Sequence, residues 1–146
     1  MAAIRIGFGF DVHQLVPGRE LWLGGILLQY EKGCLGHSDA DVLIHAICDA
    51  LLGAANLRDI GYHFPNTDPR FKGADSKSLL RHVAALIREA GYEIGNIDAT
   101  LCMEQPKINP HIPLMQKTMA EVMGIPVGDI SVKATTNEGL GYVGRE

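Results

Sequence analysis

The chain has 146 residues, 47% of them hydrophobic and 21% charged, which is the size and composition of one soluble domain spanning residues 1–146. A domain of about this length buries roughly 68% of the surface its unfolded chain exposes, so its core needs no disulfide or metal, and a metal would serve function. Lys and Arg number 13 against 17 Asp and Glu, and the net charge of -4 argues against a nucleic-acid-binding face or a polybasic membrane anchor.

The first predicted element is a strand. Ile4, Ile6, Phe8, Phe10 and Val12 share one parity, and Arg5, Gly7, Gly9, Asp11 and His13 share the other, so period two predicts a half-buried strand. Asp11 and His13 then project from one face. The same stretch lacks the charged start, apolar middle and cleavage site of a secretory signal. After a Val16-Pro17-Gly18 turn, Leu21 to Leu23, a Gly24-Gly25 break and Ile26 to Tyr30 predict a bulged strand or hairpin arm, followed by a Lys32-Gly33 turn.

A helix is expected from about residue 39 to 55, capped by Ser38 or Asp39, with early acids suiting its positive end. Its apolar run, Val42 to Ala55, is broken by His45 and Asp49 and falls short of the about 18 residues of a membrane span. Residues 59–74 form the one long connection, rich in Gly, Pro, Asn and Asp, and such loops are commonly functional. A second helix runs from Asp75-Ser76 to Ala90, with Leu79, Leu80, Val83, Leu86 and Ile87 at helical spacing and Gly91 to stop it. Ile94 to Glu104 reads as a long strand, Pro110 to Met123 as a third helix and Ile130 to Thr136 as a last strand. The order ββαβαβ predicts an α+β fold in which helices cover one face of a sheet. Cys34, Cys48 and Cys102 are odd in number and scattered, which suits reduced, structural thiols and a cytoplasmic setting.

Asp41, His45 and Asp49 are spaced four apart and make a polar stripe on an otherwise apolar helix. Burying such groups is costly unless a cation or phosphate ligand meets them, although a solvated face with one satisfied histidine is the plainer reading. Asp11-Val12-His13 adds a carboxylate and an imidazole on one strand face, and a strand-helix contact would gather Asp11, His13 and His45. That trio suits an open zinc site, whose fourth position is kept for water or substrate. Asp41 and Asp49 either orient a zinc-bound histidine or merely cap and solvate the helix.

An ordered series of motifs then gives a resemblance. It comprises Gly9-Phe10-Asp11-Val12-His13, His37-Ser38-Asp39-Ala40-Asp41-Val42 through His45, Asp59-Ile60-Gly61, and Phe64-Pro65-Asn66-Thr67-Asp68-Pro69. Phe71-Lys72-Gly73-Ala74-Asp75, Pro106-Lys107, Pro110-His111-Ile112 and Lys133-Ala134-Thr135-Thr136-Asn137-Glu138 complete it. Together they resemble the 2-C-methyl-D-erythritol 2,4-cyclodiphosphate synthases of non-mevalonate isoprenoid biosynthesis, over nearly the whole chain.

The resemblance implies a metal-dependent phosphorus-oxygen lyase in which the 2-phosphate of 4-diphosphocytidyl-2-C-methyl-D-erythritol 2-phosphate attacks the β-phosphorus and expels CMP. It implies zinc, or another divalent cation, on Asp11, His13 and His45, and magnesium or manganese on Glu138. His37 and Thr136 match the transition-state stabilisers, with Ser38 assisting at the phosphates. Lys107 and the backbone of Met103, Glu104, Gln105, Pro106, Ile108 and Asn109, with Thr135, Thr136 and Asn137, correspond to the cytidine and phosphate cradle. Asp59, Ile60 and Gly61, with Phe64, Pro65, Asn66, Thr67 and Asp68, correspond to the loop holding the methylerythritol end. Tyr142 and Arg145 match positions near the substrate or the oligomer axis.

The family forms homotrimers around a threefold axis with active sites at subunit junctions, so the resemblance implies that assembly here. Read locally, Thr135 and Thr136 are equally good strand residues, Lys107 a solvated lysine and Glu138 ordinary turn chemistry. Asn66 stands where the family usually has Asp, which replaces a loop carboxylate by an amide, and Asn137 stands where Thr is frequent. Relatives continue past Gly144-Arg145 into one further strand, which the domain as read here lacks. The rival readings are a noncatalytic nucleotide- or metal-binding module, and a metal hydrolase that would give a linear product.

Overall fold

The computed structural model describes residues 3–145; residues 1, 2 and 146, the outer ends of the expected domain, lie outside the described residues. Strands β1 (Leu15–Pro17) and β4 (Lys32–Cys34) pair antiparallel, as do β2 (Leu21–Leu23) and β3 (Ile26–Leu28). Gly24 and Gly25 join the second pair with φ of 62° and 80°, the two left-handed residues that a tight hairpin turn requires. Lys32 and Gly33 therefore lie in a strand, where the sequence suggested a turn.

Helix α1 (Val42–Ala54) begins three residues later than the predicted start, and its cap is Asp41 in place of Ser38 or Asp39. The cause is local. Ala40 takes φ 58°, a left-handed conformation that no helix continues through, and Asp41 accepts a hydrogen bond from the Ile44 N–H at 3.1 Å. The long connection folds into a short helix α2 (Ile60–His63), capped by Asp59, and a 3-10 turn over Pro69–Phe71, capped by Asp68. Helix α3 (Ser76–Glu89), capped by Asp75, matches the predicted helix from Asp75-Ser76 to Ala90. Strand β5 (Ile97–Cys102) runs parallel to β6 (Ile130–Thr135), and a crossover through a 3-10 turn at Asn109–His111 and helix α4 (Ile112–Met123) connects them. A last short helix, α5, covers Gly141–Arg145.

The core lies where α1 packs on α3, α3 on α4 and α4 on β6. Met115, Met119 and Met123, spaced four apart on α4, are fully buried with Leu21, Leu23, Ile44, Cys48, Leu52, Leu80 and Val83. Cys34 and Cys48 are buried free thiols, and burial pushes Cys34 up to about 12, which makes it inert. Cys102 is free but exposed, so the structural role expected of all three holds for only two. No helix among the described residues is long and apolar enough to cross a membrane.

Two expectations are corrected. The predicted strand over residues 4–12 joins no ladder among the described residues, and its apolar parity faces outward: Ile4 and Ile6 are 91% exposed and Phe8 86%. Alternation defines two faces but not which one is covered. Here α1 lies against the glycine face, where a Cβ on Gly9 would sit 1.8 Å from the Ala46 carbonyl oxygen and one on Gly7 1.7 Å from that of Ala50. Only glycine permits that approach. The second correction concerns the sheet. The fold is mixed α/β, but among the described residues its strands form three two-stranded ladders in place of one sheet.

Candidate metal centre and active site

Two backbone elements bring the predicted triad together. The glycine contacts of the N-terminal segment set Asp11 and His13 beside α1, and His45 projects from the first turn of α1, one turn beyond the Asp41 cap. One ligating atom from each of Asp11, His13 and His45 lies within 4.8 Å of the other two. Asp11 Oδ2 is 2.9 Å from His13 Nε2 and 3.2 Å from His45 Nδ1, and the two imidazole nitrogens are 3.3 Å apart.

The donor chemistry fits a cation. His13 Nδ1 sits 2.8 Å from the Leu35 carbonyl, which can only accept, so Nδ1 carries hydrogen and Nε2 turns its lone pair inward in the neutral ring. A carboxylate oxygen and inward imidazole nitrogens are all acceptors, and a shared positive centre is what makes their convergence favourable. These three residues can therefore hold a metal ion.

Without a metal, protons serve the same group. Burial pushes the Asp11 carboxyl up, but hydrogen bonds with His13 and His45, and their charge, outweigh it and hold Asp11 well below its ordinary 3.8. His13 is raised above 6.5, chiefly by its bond to Asp11, with burial opposing. Asp11 contributes stability above pH 3.8 that is lost as pH falls through its lowered value. His13 contributes stability fully present below pH 6.5 and lost as pH rises through its raised value. Chelator-treated protein is thus expected to lose stability on alkalinisation above pH 6.5, and His13→Ala to flatten that slope, in thermal melts taken across pH.

The loop before α1 borders the triad. Ser38 Oγ lies 3.3 Å from His45 Nε2, and Ser76 Oγ lies 2.9 Å from the same nitrogen. His37 Nε2 is buried without a hydrogen-bond partner, an orphan that points to a ligand acceptor. Arg19, which belongs to none of the motifs, donates to the carbonyls of Gly36 at 3.2 Å and Ser38 at 3.1 Å and so fixes this loop from the β1–β2 turn. Its only sequence signal was a lone arginine after a Pro-Gly turn.

Neither remaining acid of the polar stripe bonds the His45 ring through its carboxylate; Asp41 meets His45 only as the backbone carbonyl that accepts its N–H at 3.0 Å. Asp41 is fully buried and accepts from the N–H groups of Gly24 (3.0 Å), Gly25 (2.7 Å) and Ile44 (3.1 Å). Asp49 accepts from Ile60 N–H at 2.9 Å and ties α2 to α1. Both are structural.

The other predicted residues form two further groups. In the 59–68 loop, Asp59 accepts from Tyr62 N–H, Phe64 packs edge-on against Phe71 and His82 at 5.4 Å, and Asp68 pairs with Arg70. Gly61, Asn66 and Thr67 are exposed, whereas Ile60 and Pro65 are half-buried. At the carboxyl ends of β5 and β6, Met103 N–H donates to the Thr135 carbonyl and Glu104 accepts from the N–H groups of Asn137 and Gly139. Gln105 and Pro106 follow in a cis peptide, Lys107 Nζ lies 3.5 Å from the Glu104 carbonyl, and Asn109 is exposed. Ile108 buries its side chain in the core, so only its backbone is available to a ligand.

Thr136 Oγ1 donates to Glu138, whose φ of 53° is an uncommon left-handed conformation for a residue with a Cβ. Tyr142 and Arg145 lie exposed on α5. No hydrogen bond among the described residues joins this cluster to the triad.

Comparison with known proteins identifies the family. The family model described as YgbB family matches residues 4–146. A Bacteroides fragilis protein named 2-C-methyl-D-erythritol 2,4-cyclodiphosphate synthase is 69% identical over 143 residues, covering 98% of this chain and 90% of that protein. A Cytophaga hutchinsonii protein of the same name is also 69% identical over 143 residues, with the same coverage. Among solved structures, a CDP-bound 2C-methyl-D-erythritol-2,4-cyclodiphosphate synthase is 40% identical with a TM-score of 0.88, over 93% of this chain and 91% of that one. The Campylobacter jejuni bifunctional IspDF is 42% identical with a TM-score of 0.93, over 97% of this chain but 38% of that one. The chain belongs to the YgbB family, that of the 2-C-methyl-D-erythritol 2,4-cyclodiphosphate synthases.

Proposed function

We propose that this chain converts 4-diphosphocytidyl-2-C-methyl-D-erythritol 2-phosphate to 2-C-methyl-D-erythritol 2,4-cyclodiphosphate with release of CMP, as a phosphorus-oxygen lyase of non-mevalonate isoprenoid biosynthesis. The observation that carries this reading is the convergence of Asp11, His13 and His45 in a chain 69% identical to relatives of that name. A bond forms from a 2-phosphate oxygen to the β-phosphorus, the bond from that phosphorus to the CMP oxygen breaks, and its electron pair leaves with CMP. The substrate brings its own nucleophile, so the protein's task is to position and to neutralise charge.

Asp11, His13 Nε2 and His45 Nδ1 would hold zinc or another divalent cation, and Glu138 would hold magnesium or manganese, which keeps water and takes phosphate oxygens. When bound, such ions supply Lewis-acid stabilisation of phosphoryl charge. His37 offers its unpartnered ring nitrogen to a phosphoryl oxygen, and the hydroxyls of Ser38 and Thr136 add donors. Lys107 and the backbone of residues 103–109, with residues 135–137, form the cytidine and phosphate cradle. Asp59, Ile60 and Gly61, with residues 64–68, hold the methylerythritol end, and Tyr142 and Arg145 lie near the substrate or the oligomer axis.

The reading includes a homotrimer, in which the triad of one copy faces the nucleotide cradle of the next. One observation supports it: Ile4, Ile6 and Phe8 expose an apolar stripe of the kind that a subunit interface covers. Phe8→Asp is expected to lower the solution mass from three chains to one, read by light scattering, and to abolish turnover. The three unpaired cysteines support a cytoplasmic setting.

The test is to incubate the purified protein with substrate, zinc and magnesium and follow phosphorus NMR. The cyclic diphosphate and CMP are expected in equal amounts. A linear product would favour metal hydrolysis, and unchanged substrate a binding module.

A further inference from the structure

The side of His45 that faces away from the triad is built as carefully as the side that faces in. His45 Nε2 lies 2.9 Å from Ser76 Oγ, the fully buried hydroxyl at the first position of α3. That hydroxyl also bonds Asp39, whose other oxygen accepts the Ser76 N–H at 2.9 Å. A carboxylate has no hydrogen to give, so the Ser76 hydroxyl must donate to Asp39. Its oxygen is then left as an acceptor, and the His45 nitrogen facing it must carry hydrogen.

Ser38 Oγ does not oppose this polarity. It accepts from Ala40 N–H at 3.1 Å and stands 3.3 Å from His45 Nε2, where it can share the same hydrogen. A neutral imidazole with hydrogen on Nε2 has a bare Nδ1, and Nδ1 is the atom beside Asp11 Oδ2 and His13 Nε2. The Leu35 carbonyl does the same for His13 through its Nδ1.

We infer that Ser76 and Asp39 are positioning residues that lock His45 in the tautomer presenting Nδ1 to the metal. The inference rests on the metal-centre reading given above. Neither residue belongs to the stripe of acids on α1 that the sequence offered for this task, because the relay crosses from the loop before α1 to the start of α3.

The test uses the full chain loaded with zinc. Long-range proton–nitrogen NMR is expected to show hydrogen on His45 Nε2 and zinc on Nδ1. Ser76→Ala keeps the shape and the helix start but removes the acceptor, and zinc affinity by chelator competition is expected to fall roughly 10- to 100-fold. Ser76→Thr, which restores a hydroxyl, is expected to recover most of it, with melting temperatures measured for all three proteins. Zinc on His45 Nε2, or zinc affinity of Ser76→Ala within twofold of wild type, overturns the inference and leaves the metal centre standing. Wild-type protein that binds no zinc overturns the metal-centre reading and the inference together.

Discussion

Asp11→Ala is expected to strip zinc from the protein and to lower kcat by about 10³-fold, with a lower melting temperature because the bonds to His13 and His45 and the bound zinc are lost together. The triad's three ligating atoms lie within 4.8 Å of one another, and Asp11 supplies its only negative charge. If the roughly 10–16 kcal/mol of a four-ligand zinc site is shared among its ligands, each is worth about 3–4 kcal/mol, or two to three decades of affinity. Asp11 is one-quarter exposed, so its loss leaves no buried cavity, and the chain should still fold. Asp11→Asn keeps the shape and deletes the charge, and it should follow the alanine variant. Metal content after dialysis, read beside the rate of CMP release, decides the matter. A zinc-free variant that cyclises substrate at the native rate would refute the assignment.

Asp41→Ala is expected to have the opposite profile, a large loss of stability with no direct contact to the metal. Its carboxylate holds three N–H groups, two from the Gly24-Gly25 hairpin and one from the first turn of α1. Alanine would leave all three unpaired in a fully buried place. A buried unsatisfied donor costs about 1–3 kcal/mol, two are left at the hairpin, and a lost helix cap costs about 1 kcal/mol, which suggests about 3–7 kcal/mol in all. At roughly 3 °C per kcal/mol for a chain of this size, the midpoint should drop by about 10–20 °C. Thermal denaturation of zinc-loaded protein measures it. Asp41→Asn keeps one oxygen but turns an amide hydrogen toward an N–H group, so it should fall between wild type and alanine. A variant as stable as wild type would mean that the hairpin and helix start do not depend on this bond.

The two aspartates show where sequence reading succeeds and where it stops. Asp11 and His13 share a strand parity and His45 stands on the next helix, so periodicity allows their meeting and the ordered motifs single it out. The role of Asp41 was undecidable in one dimension. Spacing of four placed it below His45, as either an orienting acid or a cap, and only the return of the Gly24-Gly25 turn to α1 converts it into a three-way acceptor. Likewise Ser76 looked like part of a helix start, and its second task appears only when α3 docks on α1 and brings it to His45.

What the sequence determined by itself was local in origin: the helices over Ser76–Glu89 and Ile112–Met123, the parallel-strand segments around Ile97–Cys102 and Ile130–Thr135, and the chemical types gathered in each motif. Period and capping depend on near neighbours, so they are written in the chain. Tertiary structure alone decided which face of residues 4–12 is covered, because the Ile and Phe parity looked like a core face until α1 closed on Gly7 and Gly9. It also decided that Ala40 delays the helix and that Asp39 turns from a cap into a partner of Ser76. Such outcomes depend on which backbone approaches from far along the chain, and that approach is set by the packing of the whole molecule.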